Sequence, residues 1–273
     1  GEIDVVVVFD RSEPDQSLAR SDPGRSVRVI GNDRTPGLAG ARNCGILALD
    51  TELVGFCDDD DLWAEGKLAA QVDTLQQHPD TDFVTTAMRV EYGDHDTVRL
   101  AGRTVVTVEE LARSRMAMLH SSSFLFRRAA MLGDGGFGLV DESIPRSMAE
   151  DWDLLLRASR HRPIRHVDEP LIRVLWGGSS YFNDVWADKN LAHEWLIDHH
   201  PEIRRDRRAM GHMLGKLAFG HAALGHRREA IRQAGRALRV NWREPRAAIA
   251  LLVAAGVPAG WVSTQLNRRG HGI

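Results

Sequence analysis

Cysteines and long apolar stretches are scarce in this sequence. It has two cysteines, Cys44 and Cys57, among 273 residues, so a disulfide framework is excluded and a reducing compartment is expected. No stretch reaches the roughly 18 uninterrupted apolar residues of a membrane-spanning helix; glycines and a proline interrupt the nearest one, residues 247–262. With 43% hydrophobic and 27% charged residues, the composition excludes collagen-like and low-complexity chains and is typical of a globular protein with one large or two smaller domains.

The chain has a small net charge, −3, but the charge is unevenly spread. Residues 202–273 contain 14 Lys and Arg against 4 Asp and Glu, which gives this tail +10 and leaves −13 for the rest of the chain. The acidic part is suited to hold metal ions, and the basic tail to meet an anionic surface or a phosphorylated substrate. The alternative is two solvated faces of opposite sign.

Strand and helix patterns alternate over the first 90 residues. Apolar, β-branched runs predict four strands, at residues 3–8, 27–30, 53–57 and 83–90. Helical spacing predicts helices between them, at residues 37–49 and 67–77. The first strand is almost wholly apolar, which indicates burial on both faces. The alternation predicts an α/β fold with a Rossmann-like, mostly parallel sheet flanked by helices.

The pattern becomes helical from about residue 185. Apolar residues recur at helical spacing over 214–224 and 230–238, and Gly225 is the predicted cap between the two helices. The pair resembles one tetratricopeptide-type hairpin, and fewer than three such units are visible, so a free solenoid is not supported. We therefore predict an α/β domain over residues 1–184 and a helical accessory subdomain over residues 185–273.

Four carboxylates, Asp58 to Asp61, directly follow the predicted strand at 53–57. Ligands of α/β sheets bind at the carboxyl ends of strands. Adjacent carboxylates repel one another unless a cation or solvent offsets the charge, and Mg²⁺ and Mn²⁺ prefer oxygen ligands. The alternative is a solvated acidic turn, but the position between an apolar strand and Leu62-Trp63 favours a metal site.

Two further segments carry weaker signals. Residues 37–45 read Gly-Leu-Ala-Gly-Ala-Arg-Asn-Cys-Gly, which allows close approach of the backbone to a ligand or forms an ordinary alanine-rich helix. Residues 149–154 read Ala-Glu-Asp-Trp-Asp-Leu, where the acids suit the helix dipole or supply a general base.

Four segments, in order, resemble family 2 glycosyltransferases of the GT-A fold, and the resemblance runs from residue 2 to about 173. Residues 56–63, Phe-Cys-Asp-Asp-Asp-Asp-Leu-Trp, resemble the family's "Phe-Leu-Asp-x-Asp-Asp-x-Trp", and residues 37–45 resemble its "Gly…Ala-Arg-Asn-x-Gly" helix. Residues 135–153 resemble its "Gly-Gly-Phe-Asp-Glu … Glu-Asp" segment. Residues 2–12 resemble its second strand, although Phe9-Asp10-Arg11-Ser12 stands where the family has Asp-Asp-Gly-Ser.

The resemblance implies a nucleotide-diphosphate sugar as donor and Mn²⁺ or Mg²⁺ as cofactor. It assigns direct metal contact to Asp60 together with Asp58. The donor would be bound by Asp58, Asp59 and Arg42, with Asp10 near the nucleotide base. The cation would stabilise the departing nucleoside diphosphate.

The resemblance also implies an inverting single displacement with one general base. Asp151 is the candidate base that takes the proton of the acceptor hydroxyl, and Glu150 is the alternative. Trp152 is a candidate to stack on an acceptor sugar, or else a buried core residue. His120 is a candidate border of the acceptor pocket, or else a structural histidine.

Two departures from the family pattern matter. Members usually begin with another strand and helix, which leads us to expect that the chain is a fragment of a longer protein, or that a partner replaces this unit. Many members have a histidine after the last core strand, but residues 172–178 read Ile-Arg-Val-Leu-Trp-Gly-Gly. The third protein ligand of the metal therefore stays open.

Three functions follow from these patterns. The first is a metal-dependent, inverting glycosyltransferase with a glycan, lipid-linked or small-molecule acceptor, and we expect no nucleic-acid partner. The second is an inactive relative that binds nucleotides or glycans, or serves as a scaffold. The third, a nucleotidyltransferase, lacks its usual Gly-rich, Arg-containing phosphate loop here.

We expect a cytoplasmic protein. Its basic tail either docks on a lipid-phosphate acceptor, the inner membrane face or a partner subunit, or only caps the α/β domain.

Overall fold

The structure, a computed structural model, describes residues 1–92, 95–175 and 185–268. It divides into two units, which we call the α/β unit (1–91, 98–106 and 117–175) and the helical unit (92–97, 107–116 and 176–273). The predicted domain boundary at 184/185 lies next to residues outside the described ranges. The observed helical unit also takes up residues 107–116, which the sequence pattern had left in the first domain.

Ten strands are present among the described residues. They are β1 Ile3–Phe9, β2 Arg20–Asp22, β3 Arg25–Gly31, β4 Leu53–Gly55, β5 Leu62–Trp63, β6 Phe83–Tyr92, β7 His95–Arg99, β8 Val105–Val106, β9 Leu125–Arg127 and β10 Ile164–Leu175. The α-helices are α1 Leu38–Ala48, α2 Lys67–Gln77, α3 Val108–Arg113, α4 Arg128–Leu132, α5 Glu150–His161, α6 Trp186–His199, α7 Pro201–Arg205, α8 Arg207–Ala223, α9 Arg227–Val240, α10 Pro245–Ala254 and α11 Ala259–Arg268.

The strands form two sheets. One has the order β1-β3-β2, with β1 and β3 parallel. The other has the order β4-β9-β6-β10-β5, with β7 added to β6 and β8 added to β10. In this sheet β6 and β10 are parallel, whereas β9 runs antiparallel to both β4 and β6. The predicted α/β class is confirmed, but the larger sheet is mixed rather than mostly parallel because β9 enters it in the opposite direction.

Strand β1 differs from the expectation of burial on both faces. Val5 is 40% exposed, and none of the strand's residues is fully buried. Helix α1 packs on β1, where a Cβ added at Gly45 would lie 3.5 Å from Val8 Cγ2. The strand therefore belongs to a small sheet with partial cover, and its apolar run reflects β-propensity as well as burial.

Five phenylalanines form an aromatic layer in the core of the α/β unit. Their ring centroids lie 5.0–6.3 Å apart in edge-to-face, tilted and stacked pairs, and each ring is at most 8% exposed. The members are Phe56, Phe83, Phe124, Phe126 and Phe137. Pairs of this kind add about 0.5–1.5 kcal/mol each beyond the area they bury. Because only Cys57 separates Phe56 from Asp58, this layer anchors the start of the acidic turn.

The helical unit contains the predicted hairpin. Helices α8 and α9 pack through small residues that include Ala218, Ala222 and Ala234. Gly225 follows α8 with a φ of 76°, which confirms its predicted role as the cap, since this backbone conformation favours glycine. Over the described ranges, no helix is both long enough and apolar enough to span a bilayer.

Candidate active site

The acidic turn begins where β4 ends and closes before β5. The Asp61 N–H donates to the Asp58 carbonyl over 3.1 Å, which folds residues 58–61 into a tight turn. Asp61 is buried, Asp58 is half-buried, and Asp59 and Asp60 are exposed. The four adjacent carboxylates thus divide into two inward and two outward groups.

A second turn, His120 to Ser122, holds the two inward carboxylates. The Ser121 hydroxyl donates to Asp58 Oδ2 over 2.8 Å, and the Ser122 hydroxyl donates to Asp61 Oδ2 over 2.5 Å. The Ser122 Oγ also accepts the Asp58 N–H over 3.0 Å. The indole N–H of Trp63 donates to the Ser122 carbonyl over 2.8 Å, and this bond holds the turn against β5.

Asp58, Asp61 and His120 form a group that is able to hold a metal ion. One ligand atom of each lies within 4.8 Å of the others, and His120 Nδ1 lies 3.2 Å from Asp61 Oδ2. Two carboxylates and one imidazole are a donor set that suits a divalent cation. Asp60, the ligand expected from the sequence, is not a member of this group; burial and then the charge of Asp61 raise its pKa.

Arg42 links the acidic turn to helix α5. Its Nη2 donates to Asp58 Oδ1 over 2.9 Å, and its Nη1 contacts Glu150 Oε1. Its guanidinium carbon lies 5.3 Å from the centroid of the Phe56 ring. Burial lowers the pKa of Arg42, but Asp58, Glu150 and Asp151 more than offset this and hold it above its ordinary value. Arg42 is therefore a permanent, buried cation between two carboxylates.

The same contacts set the ionisation of Asp58 and Glu150. Burial alone raises the pKa of Asp58, but Arg42, His120 and the Ser121 hydroxyl outweigh it, so the pKa is lowered. Glu150 is 4% exposed, and burial raises its pKa to about 7 against the opposing charge of Arg42. Glu150 is thus a buried partner of Arg42, whereas Asp58 is held as a carboxylate.

Asp151 is the half-exposed acid of the first turn of α5. Its charge acts on both Arg42 and Glu150, whose pKa values it raises. The two candidate bases therefore differ in solvent exposure. Glu150 is buried and paired with Arg42, whereas Asp151 is half-exposed. That Asp151 is the base stays a prediction.

A second network ties Val140 and Glu142, in the segment 135–153, to Asn43 of α1. Glu142 accepts hydrogen bonds from Asn43 Nδ2 over 2.7 Å, Arg34 Nε over 2.6 Å and the Thr35 N–H over 3.2 Å. Asn43 also exchanges two hydrogen bonds with the Val140 backbone, of 2.8 and 3.0 Å. Burial raises the pKa of Glu142, but these donors lower it to about 2. Two of the four recognised segments are thus joined by side-chain contacts.

The small sheet carries an open cavity of about 380 Å³ at the end of β1. It is lined by Phe9, Arg11, Ser12, Glu13, Gly31 and Asn32. The Asn32 amide donates to Asp10 Oδ1 over 2.8 Å, which places Asp10 beside this cavity. Its role at a nucleotide base stays a prediction.

The structure brings together some of the predicted site residues and separates others. Arg42, Asp58 and Glu150 are in direct contact. Trp152 is 1% exposed, which favours the alternative that it is a core residue. Its ring has no accessible face for an acceptor sugar, and acceptor binding by Trp152 stays a prediction. His120 contacts Asp61, and its predicted place at the acceptor is untested.

Sequence reasoning missed Asp61 as a site residue, and it missed the pairing of Asp61 with His120. The available signal was that Asp61 directly precedes the apolar pair Leu62-Trp63. His120 is 59 positions away along the chain, and no sequence signal connected the two residues.

Comparison with known proteins defines the class of this site. The model of glycosyl transferase family 2 matches residues 1–132. The succinoglycan biosynthesis protein ExoO of Rhizobium meliloti is 26% identical over 153 residues, which are 56% of this chain and 42% of ExoO. The chain therefore spans less than half the length of that curated relative.

Solved structures show the same fold. S. aureus TarS 1-349 in complex with UDP has a TM-score of 0.54 at 17% identity, covering 92% of this chain and 80% of that chain. The complex of TarS 1-349 with UDP-GlcNAc has a TM-score of 0.57 at 19% identity, covering 99% of this chain and 84% of that chain. These likenesses show that the chain has a GT-A-type fold. The match to glycosyl transferase family 2 over residues 1–132 confirms the resemblance to that family in the three segments that lie within this range, residues 2–12, 37–45 and 56–63.

Proposed function

We propose that this chain is a metal-dependent, inverting glycosyltransferase that moves a sugar from a nucleotide-diphosphate sugar to an acceptor hydroxyl. The observation that carries the proposal is the group of Asp58, Asp61 and His120, joined through Arg42 to the acids that begin α5. The match to the family 2 model over residues 1–132 supports it. The name of ExoO, a biosynthesis protein of succinoglycan, makes a polysaccharide or its lipid-linked precursor a reasonable acceptor class.

The residues present fit a divalent cation. Asp58, Asp61 and His120 would hold it, and the buried position of Asp61 supplies a ligand that solvent does not compete for. A bound Mn²⁺ or Mg²⁺ would offset the charge that develops on the leaving nucleoside diphosphate. The assignment of Asp60 as a ligand stays a competing prediction, because its exposed carboxylate is able to turn toward a bound donor.

Asp151 would act as the general base. In the proposed reaction its carboxylate takes the proton of the acceptor hydroxyl while that oxygen bonds to the anomeric carbon. The bond from this carbon to the diphosphate oxygen breaks on the opposite face, so the configuration inverts. Arg42 and Glu150 would position the base by fixing the start of α5 against the acidic turn.

The donor would lie between the acidic turn and the cavity at the end of β1. Asp10 and Asn32 border that cavity with polar groups. Asp59 is exposed, and its carboxylate would accept a hydrogen bond from the ribose of the donor. UDP is the first nucleotide to test, because the similar fold of TarS was solved with UDP and with UDP-GlcNAc.

Calorimetric titration of UDP with and without Mn²⁺ tests the cation site. We expect binding to require Mn²⁺ and to weaken by about ten-fold or more in Asp61→Asn, the loss of roughly one charged ligand contact. Asp60→Asn is the matched control in the same turn, and we expect a smaller effect there. UDP binding that is equally tight in a chelator would contradict the metal site. If Asp60→Asn weakens UDP binding more than Asp61→Asn does, Asp60 would again be the preferred metal ligand.

The base is tested by Asp151→Asn. We expect this variant still to bind the nucleotide. Its rate of sugar transfer, measured as the release of UDP from a panel of nucleotide sugars, should fall by about 10²-fold or more. An unchanged rate of transfer in this variant, with a loss in Glu150→Gln, would move the base to Glu150.

The second candidate function is a non-catalytic relative that binds nucleotides or glycans. The observation in its favour is Phe9, which stands where the family has an acid and lines the proposed base cavity. This function predicts nucleotide binding without turnover of any donor in the panel, and it predicts that Asp151→Asn changes nothing measurable.

The basic helices are proposed to meet an anionic membrane or partner surface. Trp242 is 74% exposed, and the Arg243 guanidinium lies 4.7 Å from the centre of its ring. Such an aromatic–cation pair suits a membrane interface. We expect co-sedimentation with phosphatidylglycerol vesicles that is lost in high salt and reduced in Trp242→Ala. Binding that is insensitive to salt would contradict electrostatic docking.

A further inference from the structure

The helical unit contains a half-buried set of cationic and histidine side chains, which we call the basic cluster. Helix α6 supplies Lys189 and His193, and α8 supplies His212 and Lys216. Each pair is four residues apart, so its side chains lie on one face of their helix. Arg246 at the start of α10 completes the cluster.

Close helix packing brings these side chains together. A Cβ added at Gly215 of α8 would lie 3.0 Å from Arg246 Cβ, so α10 begins directly beside Lys216. A Cβ added at Gly220 would lie 2.1 Å from Asn190 Oδ1, so α6 crosses α8 about one turn further on. The electrostatic coupling of Lys216 with Arg246, Lys189 and His193 follows from this arrangement.

Several buried polar atoms at this place lack a hydrogen-bond partner. They include His193 Nδ1, Arg246 Nε and both amide atoms of Asn190, which is 5% exposed. A buried polar group without a partner costs about 1–3 kcal/mol, and native structures satisfy most such groups. These atoms therefore point to a ligand or water that completes the cluster.

The charge balance indicates the sign of that ligand. Burial, and to a smaller extent the positive charges of Arg246 and Lys189, lower the pKa of Lys216 to about 7, because each disfavours the protonated form. Glu244 offsets part of this charge, but its carboxylate already caps α10 and accepts from Arg246 Nη1 over 3.1 Å. An anion between Lys216 and Arg246 would remove the repulsion and supply acceptors for the unpartnered N–H groups.

We propose that the basic cluster is a phosphate-binding site, with Lys216, Arg246 and His193 as its ligands. A guanidinium and an ammonium on neighbouring helices match the several oxygens and double charge of a phosphate group better than they match a single carboxylate. The site uses none of the residues of the candidate active site. It gives the helical unit a binding function of its own, for a phosphorylated ligand.

Hydrogen–deuterium exchange of the whole chain with inorganic phosphate tests the site. We expect phosphate to slow exchange in peptides from α8 and α10, and to raise the melting temperature. Because the proposed donor site would also bind phosphate groups, peptides from residues 55–63 and 149–156 are read separately. Protection confined to those two peptides would overturn the phosphate site and leave the proposed function untouched.

Substitutions separate a ligand site from a structural one. Lys216→Met should stabilise the phosphate-free protein, because it removes a buried cation, and should weaken phosphate binding by about ten-fold or more. Arg246→Met should weaken it similarly, while Arg239→Met on the exposed side of α9 is the matched control with no expected effect. Phosphate protection of α8 that survives both Lys216→Met and Arg246→Met would overturn the proposal.

A vesicle arm distinguishes two sources of the phosphate. If a lipid headgroup is the ligand, phosphatidylcholine vesicles with phosphatidic acid should protect α8 and vesicles without it should not. If the source is soluble, inorganic phosphate should protect α8 and both vesicles should leave it unchanged. Either pattern supports the site, and no protection in any arm would overturn it.

Discussion

At the scale of single residues, the site depends on carboxylates whose partners differ. Asp58 is ionised beside Arg42, Glu150 is buried against the same guanidinium, and Glu142 collects three donors. All three side chains are carboxylic acids, but burial raises the pKa of Glu150, whereas hydrogen bonds lower the pKa of Glu142. The role of each acid thus follows from its surroundings rather than from its position in a motif.

Glu142→Gln tests the network that joins Glu142 to Asn43 of α1. Because the pKa of Glu142 is lowered to about 2 from an ordinary 4.5, its stabilising effect is complete above pH 4.5 and is lost as the pH falls toward 2. We expect the free energy of unfolding to drop by roughly 1–3 kcal/mol at neutral pH. The difference from wild type should shrink in acid.

Urea unfolding at neutral pH and at about pH 3 measures this effect. Glu65→Gln, at an exposed position, is the control for the loss of one negative charge. A difference between wild type and Glu142→Gln that stays constant across this pH range would exclude the charged network as the source of the stability.

At the scale of elements, turns and close helix packing position the functional groups. The acidic turn and the His120–Ser122 turn belong to different connections, and their serine–aspartate hydrogen bonds join them. In the helical unit, Gly215 and Gly220 of α8 position neighbouring side chains by letting α10 and α6 approach α8 closely. Both arrangements depend on small or hydroxyl side chains at contact points, not on the strongest hydrophobic residues.

Gly215→Ala tests the approach of α10 to α8. The added Cβ would lie 2.9 Å from Glu244 Cγ, so we expect a loss of roughly 1–3 kcal/mol in unfolding free energy from overpacking. Gly235→Ala in α9 is the matched control, because nothing lies within 4 Å of the added Cβ. There the higher helix propensity of alanine should stabilise the protein by about 0.4–1 kcal/mol.

Thermal unfolding reports the two changes directly. A lower melting temperature for Gly215→Ala and a slightly higher one for Gly235→Ala would support the packing argument. A stabilising Gly215→Ala would show that α10 can move away without cost.

At the scale of the whole molecule, the chain separates two kinds of chemistry. The α/β unit contains the acidic group and its buried arginine, and the helical unit contains the basic cluster. This division matches the uneven charge of the sequence, −13 over residues 1–201 and +10 over the tail. The two units are therefore suited to opposite ligands, a cation in one and an anion in the other.

Ligand-dependent stability tests this division. A ligand at 100 times its Kd stabilises the folded state by about 2.7 kcal/mol. We expect UDP with Mn²⁺ to raise the melting temperature of wild type, and the shift to vanish in a chelator and to become smaller in Asp61→Asn. A shift of undiminished size in Asp61→Asn would place nucleotide binding outside the acidic turn.

Sequence patterns predicted much of this molecule. The helices at 38–48 and 67–77, the strand pattern and the hairpin around Gly225 are present nearly as expected, because propensity and periodicity act over neighbouring residues. Arg42, Asp58 and Glu150 were identified through the family pattern and are in contact. The mixed order of the sheet and the exposure of β1 were missed, since both depend on pairing between distant segments.

The sequence by itself determined the class of fold, the resemblance to family 2 glycosyltransferases and the turn in which four aspartates stand. Only the tertiary structure decided which of them face inward, because a turn directs its side chains by hydrogen bonds to another part of the chain. The same holds for His120 and for the basic cluster of α6, α8 and α10. These groups are dozens of residues apart in sequence, and only the packing of the chain brings their charges within reach of one another.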